Sequence, residues 1–437
     1  MANIYVRSTD GNNSDSGATW ALAKANLTGA AAIDAAGDVI YVSQSHAEST
    51  ASAVTIALAG SLSNPVTVIC GNDSAEPPTS SATSASVTTT SGNISLSGSA
   101  YFYGISFISA GALNLNNGNA HSTQYYESCG FTTTNIGSSG RSTIGSSTNF
   151  SYKTILKNCT FTYGSATQYL MAYGDVIIEG GGFSGSVTPS PFFTLPLDRS
   201  AGEFLINGFD FSGCSSTFNI FNAGAINSGL GVLRNCRLPA GWSGSLVSSG
   251  TIQPGQRYEM YNCDGADTNY RVWIVDSQGS LVDETTIVRT GGASDGTTPL
   301  SWKLTTVSNC SYPNNLFYTP EIARWNTTVG SPVTVTVEII TDGLTVTDKE
   351  CWLELQYQGT SGFPRSLFSI DRATTPINSA TNQTSSSVAW TTTGLSSPIK
   401  QKLSVTVTPE EVGFFLARII VARPTTTVYV DPKLDIT

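Results

Sequence analysis

The sequence predicts an all-β protein: a parallel β-helix with an N-terminal helical cap, followed by a C-terminal antiparallel β-sandwich. Charged residues make up only 12% of a chain that holds 42 glycines and is dense in Ser, Thr and Asn, a profile that favours strands and turns over exposed helices. A short motif recurs at a loose period through most of the chain. Longer strands with clean alternation then occupy the last part, from residue 330 to 437.

The elements follow in order. From Thr19 to Ala36 the apolar positions Trp20, Ala23, Leu27, Ala30 and Ala31 fall at helical spacing, with Thr28 and Gly29 interrupting the run. Residues 1–37 are therefore expected to form an arm and a capping helix over the open apolar end of the first coil, because terminal repeats of a solenoid must be covered. In AGDVIYVSQSHAES (36–49) Gly37 ends that helix and Asp38 starts the first strand.

Residues 38–312 are expected to be the β-helix. YYESCGFTT (125–133), LKNCTFTYG (156–164), IEGGGFSGS (178–186), INGFDFSGC (206–214), LRNCRLPAG (233–241) and MYNCDGADT (260–268) align on one scheme, a Cys, Gly or Phe with an apolar or aromatic residue two places later and a turn after it. With Ile105, Cys129, Cys159, Gly181, Phe209, Cys236 and Cys263 as the reference position, the steps are 24, 30, 22, 28, 27 and 27 residues. Short strands joined by loops of variable length give such a drifting period, one coil per repeat. PVTVICG (65–71), NISLSG (93–98), YFYGISFI (101–108), DVIIEGG (175–181), GLGVLRN (229–235) and YRVWIVD (270–276) read as its strands.

Equivalent residues of successive coils stack about 4.8 Å apart. Cys129 and Cys159, and likewise Cys236 and Cys263, are thus expected to form a column of small buried side chains rather than disulfides, with all eight cysteines as free thiols in a reducing compartment. Asn158, Asn235, Asn262 and Asn309, each just before a cysteine, suit a left-handed turn and could form an asparagine ladder. Repetition fades after residue 320, which leaves 313–329 as a linker and 330–437 as the sandwich.

For chemistry the sequence offers little. A net charge of −10 with no basic stripe argues against nucleic acid as a partner. The N-terminus lacks the pattern of a secretory signal, so synthesis in the cytoplasm is expected, and GFFLARIIVA (413–422) is too short and too charged to span a membrane. His46 and His121 fall in different coils with no cluster of metal ligands around them, so no metal and no cofactor is expected. The acidic turn STDGNNSDSG (8–17) lacks the calcium-loop spacing, and Asp10 and Asp15 read as capping residues. No strand–elbow serine and no phosphate loop is present.

Carboxylates on one face of a β-helix can cleave polysaccharide, and the best cluster is Glu259, Asp264 and Asp267, with Asp276, Asp283 and Glu284 on the next turns. A solvated acidic edge explains these residues equally. Tyr125, Tyr126, Tyr169 and Tyr173 could stack on sugar rings or pack inside the coils.

Taken together, GDVIYVSQ (37–44), the NCxF units, PEIARWNTTVGSPVTVTVEIITD (320–342) and RIIVARPTTTVYVDPKLDI (418–436) resemble right-handed parallel β-helix proteins of tailed-bacteriophage virions. Members of that group decorate capsids or form tail spikes and fibres, usually as homotrimers. The resemblance implies a non-enzymatic homotrimer on the virion surface, made in the host cytoplasm, with the major capsid or a tail protein as partner. A tailspike-like role, binding or depolymerising host glycan, is the alternative it implies. The capping segment lies within twenty residues of Met1, where tailspikes of this group carry a head-binding domain, which turns the expectation toward capsid decoration and toward attachment through the C-terminal sandwich.

Overall fold

The structure is a computed structural model. It describes every residue except 119–120, 135–140, 146–151, 167–168, 195–201, 223–228, 249–251, 264–271, 285–286, 291–300, 313, 347–349, 361–365, 368–378 and 383–388. The chain divides into two compact units, Met1–Asn269 and Tyr270–Thr437.

Among the described residues of the first unit the strands pair with one another in parallel, with one isolated antiparallel bridge at Gly71–Ser81, and successive strands pass in turn through three sheets. Val39–Ser43, Ala47–Thr50 and Val54–Ala57 lie in the first, second and third sheets, and Val66–Gly71, Ala85–Thr89 and Ile94–Ser97 then stack upon them in the same order. That succession is a parallel β-helix. Its strands alternate buried and half-buried residues, as in Gln256–Tyr261, because only one face of each sheet meets the core. Aromatic rings fill the interior in register: Phe102 stacks on Tyr126 at 4.9 Å, and Phe107, Phe131 and Phe161 follow one another at 6.1 and 5.4 Å.

The repeat register read from the sequence is visible in the pairing. Gly130 pairs with Ser106 and Thr160, Gly182 with Thr160, and Asp210 bridges Gly182 and Arg237, so the residues just before them share one position in successive coils. Cys129, Cys159 and Cys236 stand at that position, buried. From Gly104 onward the described coils make the same turn immediately ahead of it. Gly104, Ser128, Asn158, Gly180, Gly208, Asn235 and Asn262 have φ of 72°, 54°, 51°, 65°, 70°, 53° and 49°. Only Gly, Asn and Ser occupy this left-handed corner, where a larger β-carbon would be strained. Asn262 Nδ2 donates to Asn235 Oδ1 at 2.8 Å, and Asn235 Nδ2 donates to Asn207 Oδ1 at 2.9 Å. The run of side-chain amides moves to Asn207 because Gly208 has no side chain to offer.

Three sequence expectations are corrected here. Val39–Ser43 is not the first strand, because Asn3–Val6 pairs parallel with it from Asn3↔Val39 to Val6↔Val42. The segment 19–36 holds only the 3₁₀ turn Trp20–Leu22 and the helix Leu27–Ala31. Ala23 is extended between them (φ −65°, ψ 150°), Lys24 bridges Val6, and Asn26 starts the helix anew by accepting the Gly29 amide at 2.8 Å. The apolar spacing still reports burial, since Trp20, Ala23, Leu27 and Ala30 are all buried. The third correction concerns Val272–Asp276, read as a coil strand; it pairs antiparallel with Gly279–Glu284 and belongs to the second unit, well ahead of the boundary expected at 312.

The second unit contains antiparallel pairings. Val333–Asp342 pairs along its length with Pro398–Val407. Cys351–Gly359 pairs with Gly413–Val421, which also carries Ile322–Asn326 on its other edge. Asn309 sits in this unit, its carbonyl accepting from Asn315 Nδ2 at 2.9 Å, and has no place in the asparagine ladder. No helix among the described residues is long and apolar enough to cross a membrane.

Candidate functional site

The outward face of the first sheet is the candidate. Inward residues of its strands, such as Phe102, Tyr126, Leu156 and Ile178, are fully buried, so the residues between them point out. One outward column runs Tyr101, Tyr125, Ile155, Ile177, Leu205, Val232, Glu259. Beside it runs Tyr103, Glu127, Lys157, Glu179, Asn207, Arg234, Tyr261. An apolar, aromatic stripe thus lies next to a row of alternating charge.

At the Tyr101 end the rings of Tyr101 and Tyr125 are 5.3 Å apart. Tyr101 Oη donates to Glu127 Oε2 at 3.1 Å, and Lys157 Nζ lies 3.2 Å from Glu127 Oε1. Partial burial, then the hydrogen bond to Glu127 and its charge, push the Tyr101 hydroxyl up, while the same carboxylate holds the Lys157 ammonium in its charged form. The result is a half-buried pair of rings rimmed by a fixed carboxylate and a cation. Such rings offer an apolar face with polar groups at its border.

At the other end Glu259 accepts from Arg257 and, at 2.9 Å, from Tyr261 Oη. Arg234 lies over the Tyr261 ring at 5.6 Å. Burial and the Glu259 charge push the Tyr261 hydroxyl up to about 12. Glu259 thus has two hydrogen-bond partners on this face. Asp264 and Asp267, its companions in the sequence reading, lie outside the described residues.

Asp276 accepts the amides of Gln278 and Gly279 at 2.7 and 3.2 Å, closing a hairpin turn in the second unit, and Asp283 is buried there; the Glu284 side chain is not among those described. Of the four tyrosines proposed for sugar stacking, only Tyr125 has a described, outward ring. Tyr126 is buried and donates to Gln124, Tyr173 is buried, and the Tyr169 side chain lies outside the described residues. The alternation of YYES misleads, because neighbouring tyrosines on a strand point to opposite faces.

Two acidic residues that the sequence reading passed over are register neighbours on this face, each just ahead of the pair Val176↔Phe204. Asp175 Oδ1 accepts the Glu203 amide at 3.1 Å from the next coil, and both side chains are exposed. Only the register could reveal them, since they are 28 residues apart in the chain.

The cysteines are all free and buried. Cys129, Cys159, Cys236 and Cys263 each donate to the carbonyl two residues earlier, at 3.5, 3.5, 3.3 and 3.4 Å, which ties the thiol to the left-handed turn. Burial pushes Cys214 up to about 12 and Cys310 up to about 11. His46 is buried, with Nε2 3.1 Å from Glu48 Oε2, while His121 is exposed. Asp10 is paired with Arg7 in the N-terminal turn. Among the described residues no group of three or more His, Cys, Asp or Glu is placed to hold a metal ion.

No protein-family pattern and no curated protein matches the chain. Among solved structures, the enzymatically active domain of tailspike protein 4 from bacteriophage CBA120 is similar at 11% identity and a TM-score of 0.25, covering 94% of this chain and 65% of that one. Tailspike gp49 of Acinetobacter baumannii bacteriophage Fri1, a capsular polysaccharide depolymerase, is similar at 12% identity and a TM-score of 0.28, covering 98% and 86%. This chain thus spans less than two thirds of the length of the first. At these scores the likenesses carry no argument about activity.

Proposed function

We propose that the chain is a bacteriophage virion-surface protein whose parallel coils bind host-surface glycan on the outward face of the first sheet, as a homotrimer and without cleaving it. The observation that carries this reading is the Tyr101–Tyr125 ring pair with Glu127 and Lys157 fixed at its edge. Sugar rings stack their C–H faces on aromatic rings and hydrogen-bond to carboxylate and ammonium groups around them. A stacked-coil scaffold holds those groups rigidly, so little ordering entropy opposes binding. The virion setting, and capsid or tail protein as anchoring partner, rest on the sequence resemblance.

The test is titration of the purified protein against a panel of bacterial capsular and O-antigen polysaccharides. The protein is expected to bind at least one, with Tyr125→Ala weakening it about tenfold, equivalent to ~1.4 kcal/mol, at unchanged oligomeric state. Absence of binding across the panel, or a Tyr125→Ala protein that binds normally, would overturn the reading. Were oligosaccharides released, the non-catalytic part would fall, and Asp175→Asn and Glu203→Gln would be the first variants to assay.

A further inference from the structure

Where the N-terminal cap meets the first coil lies a groove of about 460 Å³, lined by none of the residues of the tyrosine face. The cap contributes Asn13, Asn26 and Thr28 to it, and the first coil contributes residues 48–50 and 53–55. All of these are among the described residues. The volume falls within the about 300–1,000 Å³ of sites for small ligands.

Glu48 is the one charged residue that lines the groove, and its side chain is only 11% exposed. Oε2 accepts the Leu27 amide at 2.9 Å and lies 3.1 Å from His46 Nε2. His46 Nδ1 is buried with no partner, which places the ring proton on Nε2, where Glu48 accepts it. The carboxylate is thus held through one oxygen, while Oε1 has no hydrogen-bond partner among the described residues. Lys24 does not serve it, because its buried Nζ donates to the Asn13 carbonyl at 2.9 Å. Other groups of the lining also have hydrogen bonds still to make. Asn26 Oδ1 accepts from Gly29 and from Asn13, yet Asn26 Nδ2 donates to nothing among the described residues. The hydroxyls of Thr28, Ser49 and Thr55 are unpartnered in the same sense.

These groups specify an occupant by what each one needs. An acceptor-only anion held nearly out of water calls for a cationic donor. Three hydroxyls and a carboxamide N–H beside it call for hydroxyls. A neutral polyol would leave the charge unanswered, an anion would be repelled by it, and an alkyl diamine would set methylenes against the hydroxyls. We propose that the groove binds an amino sugar with a free amine, its ammonium on Glu48 Oε1 and its hydroxyls on Asn26, Thr28, Ser49 and Thr55. This site is independent of the tyrosine face.

The test titrates the full-length protein with glucosamine, galactosamine and mannosamine, read by saturation-transfer NMR and by calorimetry. The parent hexoses, the N-acetylated hexosamines and the alkyl diamine cadaverine serve as comparisons. At least one amino sugar is expected to bind, with its parent hexose, its N-acetylated form and the diamine each about tenfold weaker or worse. Glu48→Gln is expected to weaken binding about tenfold or more, and Tyr125→Ala to leave it unchanged. Thr55→Lys, at an exposed position outside the cap, sets a tethered ammonium in the groove and is expected to abolish binding with the wild-type melting profile kept. That variant decides the matter even where Glu48→Gln loosens the cap. Failure of all three amino sugars to bind, equal binding of a parent hexose, an N-acetylated form or the diamine, or binding that survives Thr55→Lys or a folded Glu48→Gln overturns the proposal. Loss of binding on Tyr125→Ala would move the sugar to the tyrosine face and overturn it as well.

Discussion

At the scale of single residues, the left-handed corner ahead of each core position sets the chemistry that the chain accepts. Asn235 has φ 53° and is both donor and acceptor in the side-chain run from Asn262 to Asn207. Asn235→Ala loses both the tolerance of that conformation and the two hydrogen bonds, whereas Asn235→Gly loses only the bonds. Chemical denaturation is expected to show Asn235→Ala less stable than Asn235→Gly by about 1 kcal/mol; equal losses would mean the corner imposes no strain. The thiols give a second residue-scale test. Burial raises Cys214 and Cys310, so folding keeps both protonated while the unfolded chain begins to ionise near pH 8.5. Their contribution to stability is full below that pH and is lost as pH rises toward the folded values of about 11 and 12. Melting temperature is therefore expected to fall above about pH 9, and less steeply in Cys214→Ala. Native protein at pH 8 should leave the aromatic-disulfide thiol reagent unreacted, and denatured protein should release eight equivalents, matching eight free cysteines.

At the scale of elements, the sequence shows where a strand has a buried face more readily than how that strand is paired. YYESCGFTT and LKNCTFTYG could be placed in register because each combines an alternating strand, a corner residue and a core thiol, three constraints that agree on one alignment. YRVWIVD alternates just as well, yet Val272–Asp276 pairs antiparallel, because alternation records one solvated face and is blind to the neighbour's direction. Two-residue strands such as Phe193–Thr194 and Phe221–Asn222 are too short to make a period at all. The helix expected over 19–36 shrinks to five residues for a related reason: helical spacing of apolar residues also fits a chain that dips repeatedly onto a core. Packing within an element offers its own check. Phe131 is 3% exposed and stacks between Phe107 and Phe161 of adjacent coils. Phe131→Ala is expected to cost about 3–5 kcal/mol by denaturant titration, a loss that a surface ring such as Tyr125 should not approach.

At the scale of the whole chain, the candidate site was partly legible and partly not. Tyr125 was nominated from sequence, but its partners Tyr101, Glu127 and Lys157 come from three coils and assemble only through the register. Glu259, nominated from sequence as a candidate acid, stands at the end of the apolar column and accepts hydrogen bonds from Arg257 and Tyr261. The proposed role is glycan binding by the outward rings without cleavage. The most direct measurement is size-exclusion chromatography of a bound polysaccharide before and after prolonged incubation with the protein. Co-elution of protein and polysaccharide, with the polysaccharide keeping its original size, is the predicted result. A polysaccharide shortened by the incubation, or a protein that elutes apart from every polysaccharide offered, would contradict it.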